Sequence, residues 1–272
     1  MATINITQIQ KIENEMLKET IEILNRNNIT FYMCCGSVLG TIRHGGPIPW
    51  DTDMDILIPF SLLNKARNCL EKELSDRFCI DDLKKNKDYS NLFPRVAMPS
   101  TSSDTLHIDL FPLIGLPDDR DEQLKICNIL SRRQKVFICY KRMRKELAHP
   151  NTTKLFLARL VEIFCSPFSK KELTRQYYKI LSKYPYDSAN YVMNACGHYG
   201  SKNIFEKTVF GTPEWKSYCD IEVPIPEQWD FYLKRYYKEY MQLPPKDERD
   251  FWLSFKLEID DEDFKRIKDD IK

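Results

Sequence analysis

Residues 51–58, Asp-Thr-Asp-Met-Asp-Ile-Leu-Ile, constrain this chain more than any other stretch. The apolar run Ile56-Leu57-Ile58 reads as a buried strand, and Pro59 stops it because proline cannot donate to a sheet ladder. Asp51, Asp53 and Asp55 alternate along the extended approach to that strand, so all three are expected to project from one side. Like charges crowded in this way repel one another unless a cation sits between them. Oxygen-only donors suit Mg²⁺ or Mn²⁺, above all where substrate phosphates complete the octahedron. An isolated D-x-D is commonly a solvated loop. Here the pair precedes a strand and follows the Gly36-Ser37 turn, whose backbone N–H groups and hydroxyl suit a phosphate, and that setting favours a metal.

The flanking pattern builds a mixed sheet. Thr7 with Gln10 has the form of a capping box, and Ile9, Ile12, Met16, Ile21 and Leu24 recur at helical spacing, which predicts a helix to about Asn27. Residues 30–35 read as a short buried strand, 38–43 as a short helix, and His44-Gly45-Gly46-Pro47 as a loop. Ser61 caps an expected helix to about Leu74, residues 76–90 read as exposed strand or loop, and 92–98 and 106–111 as further strands. Residues 1–118 are therefore expected to form an α+β mixed-sheet domain. Helical patterns at 120–147, 152–165, 170–184 and 226–241 predict that 119–272 is mainly helical and packs on the sheet without a flexible linker.

A formal net charge of +1 lies too near zero for a protein that coats nucleic acid, so no nucleic-acid partner is expected. No apolar run approaches the length of a membrane span, and the polar opening does not resemble a signal peptide. The 9 cysteines include no C-x-x-C pair and no histidines at ligand spacing. They read as structural thiols in a reducing, cytoplasmic compartment, and zinc is not expected.

The segment from Gly36 to Ile58 resembles the signature of the LicD family, bacterial phosphocholine transferases whose relatives include the fukutin-related ribitol-phosphate transferases. The resemblance continues at His107-Ile108-Asp109-Leu110-Phe111-Pro112 and from Tyr237 to Pro245, where Lys238 departs from the family's usual glycine. It implies a nucleotidyltransferase fold in which Asp53 and Asp55 are the D-x-D, Asp109 is a third carboxylate on a neighbouring strand, and Asp51 is an additional acid at the rim. It also implies transfer, dependent on Mg²⁺ (or Mn²⁺), of phosphocholine from the CDP-linked donor CDP-choline to a sugar hydroxyl of a teichoic acid or lipopolysaccharide precursor, releasing CMP. The glycan acceptor would be lipid-linked at the inner membrane face. A polyol phosphate (ribitol or glycerol phosphate) from a CDP-polyol is the alternative within that chemistry. A nucleotidyltransferase releasing pyrophosphate, or a non-enzymatic binding module, lies outside it. Within this frame Asp53 and Asp55 hold the metal on the donor diphosphate, while Asp109 shares a metal and takes the acceptor's proton.

Other residues carry two readings each. Arg43 either grips a phosphate or pairs with one of the acids, and Arg95 either reaches the same cleft or lies exposed at an edge. His44 and His107 read as loop-ordering or core histidines. Trp50 either stacks on a base or choline headgroup or anchors its loop. Residues 132–145 carry Arg132, Arg133, Lys135, Lys141, Arg142, Arg144 and Lys145, which form either a solvated face or a basic stripe drawn peripherally to the inner membrane face.

Overall fold

The protein, seen in a computed structural model, is described over residues 2–86, 89, 91–99, 106–147, 170–253 and 256–268. β1 (Ala2–Asn5) runs into α1 (Ile6–Arg26). Asn5 caps this helix in place of Thr7: its side chain accepts the Gln8 N–H at 3.0 Å, and the Gln8 carboxamide accepts the Asn5 N–H at 3.0 Å. Asparagine is the stronger N-cap, and the shift leaves Gln10 free to act elsewhere. Ile9, Ile12, Met16, Ile21 and Leu24 form the buried stripe that the spacing predicts, and Leu17 joins it.

The chain continues through β2 (Tyr32–Met33), α2 (Cys35–His44), β3 (Met54–Pro59), α3 (Phe60–Glu73), β4 (Cys79–Asp81), β5 (Arg95–Ala97) and β6 (His107–Leu116). The helix expected to be capped by Ser61 begins two residues earlier, with Pro59 at the cap position and no side-chain cap bond. β6 is central, and all 10 of its residues are buried. β3 pairs with it in parallel and β5 antiparallel, in the order β2-β3-β6-β5-β4. The result is the mixed sheet of an α+β fold.

Beyond β6 come α4 (Arg120–Leu147) and α5 (Lys170–Leu181), then β7 (Tyr191–Asn194), β8 (Ile204–Glu206), β9 (Glu214–Tyr218) and β10 (Ile221–Ile225), and finally α6 (Trp229–Tyr237), α7 (Lys246–Leu253), β11 (Lys256–Ile259) and α8 (Asp261–Ile267). The region expected to be mainly helical therefore also supplies strands. β7 pairs with the second half of β6, Leu113–Leu116, and β8 pairs with β7, so the sheet does not stop at residue 118. β9 and β10 form a hairpin, and β11 pairs with β1. One apolar core joins Ile56, Leu57 and Ile108 to Val192, Phe205 and Tyr232. The helix expected at 152–165 lies outside the described residues. That expected over 226–241 is shorter, ending at Lys238 with φ 55° and ψ −110°, backbone where glycine is at ease. No helix among the described residues is long and apolar enough to cross a membrane.

Candidate functional site

The N-terminal ends of β3 and α2 meet. Cys34 N–H donates to the Asp55 carbonyl at 3.1 Å, and Asp55 N–H donates to the Ser37 hydroxyl at 2.9 Å. Gly36 and Ser37 thus lie in the first turn of α2 and not in an open turn before it. Ser37 N–H is already given to the Cys34 carbonyl at 3.0 Å. What expectation assigned to phosphate binding therefore stitches the helix to the acid-bearing strand. Gly36 has a distinct role of close approach: a Cβ there would stand 3.1 Å from Asp51 Oδ2. The positive end of α2 faces that carboxylate, a favourable arrangement.

The three acids of the loop do not alternate along one extended segment. Asp51 Oδ1 accepts the Asp53 N–H at 3.2 Å, which bends the chain back on itself before β3 begins. Aspartate makes such turns because its side chain competes with the backbone for local donors. Asp53 is left exposed, while Asp51 and Asp55 are half-buried. Asp109 is buried, and sheet register sets it directly beside Asp55 on the parallel strand and beside Arg95 on the antiparallel one. Asp55, Asp109 and Arg95 therefore form a row across three strands spaced about 4.8 Å apart.

The electrostatics of this row are unbalanced. Burial and then the Asp53 charge push Asp51 up to about 6. Burial, the neighbouring Cys35 and the charges of Asp109, Asp53 and Asp51 raise Asp55 well above the carboxylate range. Asp109 is pushed up to about 6 by burial, although the Arg95 guanidinium, donating to it through Nε, pulls the other way. Arg95 is thus an inner clamp on Asp109 and not an exposed edge residue. His107 is a core histidine: burial and Arg95 bring it down to about 3, so it stays neutral, with Nε2 3.5 Å from Asp109 Oδ1. Carboxylates that raise one another's pKa, with Arg95 against one of them, have the chemistry that suits a hard divalent cation, although their oxygens do not converge as a ligand group among the described residues.

Arg43 follows neither expected reading. Its Nη1 donates to the Tyr240 carbonyl at 2.9 Å and the Gln242 carbonyl at 3.4 Å, and its Nε to His44 at 2.9 Å. It latches the C-terminal end of α2 to the C-terminal segment. Trp50 is covered by its own arginines, Arg43 at 5.7 Å and Arg249 at 5.5 Å from the ring centre, so it anchors the loop. On the basic helix Arg132 and Lys135 are exposed and Arg133 is half-buried; the other side chains of that stripe lie outside the described ones.

Three features escaped the sequence. Cys34, Cys35 and Asp55 bring ligand atoms within 4.8 Å of one another, a grouping invisible to spacing because Asp55 arrives from a different element. Its softer donors could accept zinc, contrary to the reading of all cysteines as inert. Cys34, Cys35, Cys69, Cys79, Cys127, Cys196 and Cys219, the cysteines whose side chains are described, are free thiols. Tyr199 and Tyr237 stand near the acids, and both feel the Asp55 charge. Glu13 is a fully buried acid on α1, raised well above the carboxylate range by burial and then by the charges of Asp53 and Asp51; its signal was an acid inside an apolar stripe, between Ile12 and Met16.

A family model for the LicD/FKTN/FKRP nucleotidyltransferase domain matches residues 28–165, a span that contains the whole row of acids. The chain is 20% identical over 237 residues to the lipopolysaccharide cholinephosphotransferase LicD of Haemophilus influenzae, covering 84% of this chain and 88% of that protein. Over 42 residues it is 45% identical to an uncharacterised protein of Rickettsia prowazekii, 16% of that protein's length. A Rickettsia typhi protein matches equally over 14% of its length.

Proposed function

This chain belongs to the LicD/FKTN/FKRP nucleotidyltransferase family, and on that premise we propose that it is a transferase moving phosphocholine from CDP-choline to a sugar hydroxyl of a cell-surface glycan precursor. The precursor is a lipopolysaccharide or teichoic acid intermediate, and CMP is released. The observation that carries this reading is the row Asp55–Asp109–Arg95 beside exposed Asp53, an acid excess that a phosphate-bound divalent ion would balance. The likeness to the Haemophilus influenzae cholinephosphotransferase over most of both chains supports the headgroup.

In this reading Asp53 and Asp55, with Asp109, hold Mg²⁺ or Mn²⁺. When bound, the ion supplies positive charge to the donor diphosphate and to the oxygen that leaves with CMP. Asp109 would accept the proton of the acceptor hydroxyl as its oxygen forms the new bond to the phosphocholine phosphorus. The bond from that phosphorus to the CMP oxygen breaks in the same displacement. Arg95 keeps the Asp109 carboxylate oriented. Ser37 fixes the start of β3, and Gly36 admits Asp51 to the rim. For the headgroup, Tyr199 and Tyr237 offer two rings at 83° with centroids 5.9 Å apart, surfaces suited to a quaternary ammonium beside carboxylates. Residues 119–272 would carry the acceptor side. A cytoplasmic protein touching the inner membrane face through the basic stripe is the setting we propose, consistent with free thiols and exposed Arg132 and Lys135.

The test is incubation with Mg²⁺, a sugar acceptor, and CDP-choline, CDP-ribitol, CDP-glycerol or CTP, while CMP and pyrophosphate are followed separately. CMP from CDP-choline is expected. CMP from a CDP-polyol alone would move the headgroup assignment, and pyrophosphate from CTP would overturn the reaction class.

A further inference from the structure

We propose that Cys34, Cys35 and Asp55 form a binding site for a thiophilic divalent ion, zinc above all, at the junction of β2, α2 and β3. The site stands on its own geometry and not on the transferase reading, so the two can fail separately.

The chain has 9 cysteines and 40 acidic residues. Among the described residues, however, the only place where 3 or more Cys, His, Asp or Glu donors converge is here, with both sulfurs and an Asp55 oxygen all within 4.8 Å of one another. Tetrahedral zinc, with bonds of about 2.3 Å to sulfur and about 2.0 Å to oxygen, holds its donors roughly 3.5–4 Å apart. Small side-chain rotations can close that difference, and three protein donors leave a fourth position for water or a further ligand. Two sulfurs and one carboxylate favour zinc over magnesium, because soft donors select softer ions.

The backbone brings these donors together in a way that core packing does not require. Adjacent residues of an extended chain point to opposite faces. Cys34 is extended, at φ −142° and ψ 169°, but Cys35 takes φ 49°, a left-handed conformation that disfavours a residue with a Cβ. That turn sets two neighbouring thiols on one side. Strained residues of this kind collect at binding sites. Asp55 arrives from β3 and is pinned through both its backbone groups: its carbonyl accepts the Cys34 N–H at 3.1 Å, and its N–H donates to the Ser37 hydroxyl at 2.9 Å. Behind Cys35, the buried Tyr232 hydroxyl of α6 accepts the Cys35 N–H at 3.0 Å and lies 4.0 Å from its sulfur, placed to donate to a thiolate. Contacts of that sort orient a metal ligand from outside. Both cysteines are buried while Asp55 is half-buried, so an ion enters past Asp55.

Binding releases the two thiol protons to solvent and leaves both sulfurs as thiolate ligands. Co²⁺ reports this without reference to turnover, because thiolate coordination gives a sulfur-to-cobalt charge-transfer band that carboxylates alone do not. Titrating the reduced full-length protein with Co²⁺ should produce that band at a single ion per chain, and Zn²⁺ should remove it by displacement. Loss of an outer contact typically costs about 10- to 100-fold in metal affinity, so Cys34→Ser with Cys35→Ser, which removes two ligands, should cost about 100-fold or more for Zn²⁺ and abolish the band. Asp55→Asn should keep the band and weaken Zn²⁺ binding by about 10-fold or more. A wild type without the band, a double variant that keeps band and affinity, or an Asp55→Asn protein with unchanged Zn²⁺ affinity would overturn the three-donor site. Should the double variant not fold by circular dichroism, Cys35→Ser alone decides: a weaker band with lower affinity supports the site, and unchanged values overturn it.

Discussion

On α3, Arg67 is buried against Asp82 and also pairs with Glu71, which Lys85 reaches at 3.0 Å. At the start of β3, by contrast, Asp51, Asp53, Asp55 and Asp109 gather with Arg95 against one of them. In the first cluster burial alone would raise Asp82, yet the Arg67 guanidinium and backbone donors override it and hold the carboxyl below its usual range. In the second, burial and mutual repulsion win, and Asp51 and Asp109 both sit at about 6. Balanced buried charge is a device of the fold, whereas acid left in excess stores a demand for a partner that the chain itself does not supply.

Removing an acid from the unbalanced cluster should have the largest effect. We expect Asp53→Asn and Asp55→Asn each to abolish transfer while the circular dichroism spectrum stays native. More than a tenth of wild-type turnover in both variants would mean the cluster is not the catalytic centre. Asp109→Asn should lower kcat by roughly 10²-fold, the scale for a lost positioned base. Donor affinity, measured by calorimetry with Mg²⁺ present, should fall far less than in the Asp53 variant. An equal loss of donor binding would make Asp109 chiefly a ligand of the donor's metal.

The balanced cluster should answer in stability alone. Arg67→Ala leaves Asp82 buried without its partner and should cost about 3–5 kcal/mol in denaturant unfolding. Mn²⁺ affinity of the folded variant should not change, and a parallel fall in affinity would blur the distinction between the two regions.

The two clusters should also oppose each other in their pH dependence, by a smaller amount. Asp51 and Asp109 have folded values near 6, against about 3.9 for an unfolded aspartate. Between those values the native state holds more protons than the unfolded one, so stability falls as pH rises through that window. His107, held neutral in the fold at about 3, removes part of that gain as the unfolded chain takes up its proton below about pH 6.5. Two aspartates outweigh one histidine, so in EDTA the melting temperature should rise modestly on going from pH 7 to pH 5. Asp82, depressed by Arg67, contributes stability above the ordinary aspartate range that is lost as pH falls below it, so the trend should reverse below about pH 4. A metal-free protein that loses stability steadily from pH 7 to pH 5 would contradict the assignment of excess acid to the site.

Much of this arrangement was legible in the chain. The α1 stripe, the apolar run of β3 and the alternation of His107, Asp109 and Phe111 each carry a period that only one element satisfies, and the parallel register of β3 and β6 then brings Asp55 to Asp109. What was hidden depends on short or distant bonds. An aspartate turn at Asp51 competes with an extended run and leaves no mark in spacing. β7 and β8, at 4 and 3 residues, are too short to show alternation. Arg43 spends its donors on carbonyls about two hundred residues away, and the Ser37 hydroxyl accepts the N–H of Asp55. Glu13 was visible as an acid on an apolar face, but only the packed helix shows which charges it meets.

The central claim is that the acids gathered at β3 are destabilising until a divalent ion and its nucleotide donor arrive. Thermal melts of wild type and Asp55→Asn, each in EDTA and in Mg²⁺ with CDP-choline, test it through a crossing. In EDTA the variant should melt above wild type, because one repelling carboxylate has gone. With Mg²⁺ and CDP-choline the order should invert, since wild type alone gains the stabilisation that a ligand bound only to the folded state confers. The same ranking in both conditions, or a wild type whose melting temperature ignores ion and donor together, would contradict the claim.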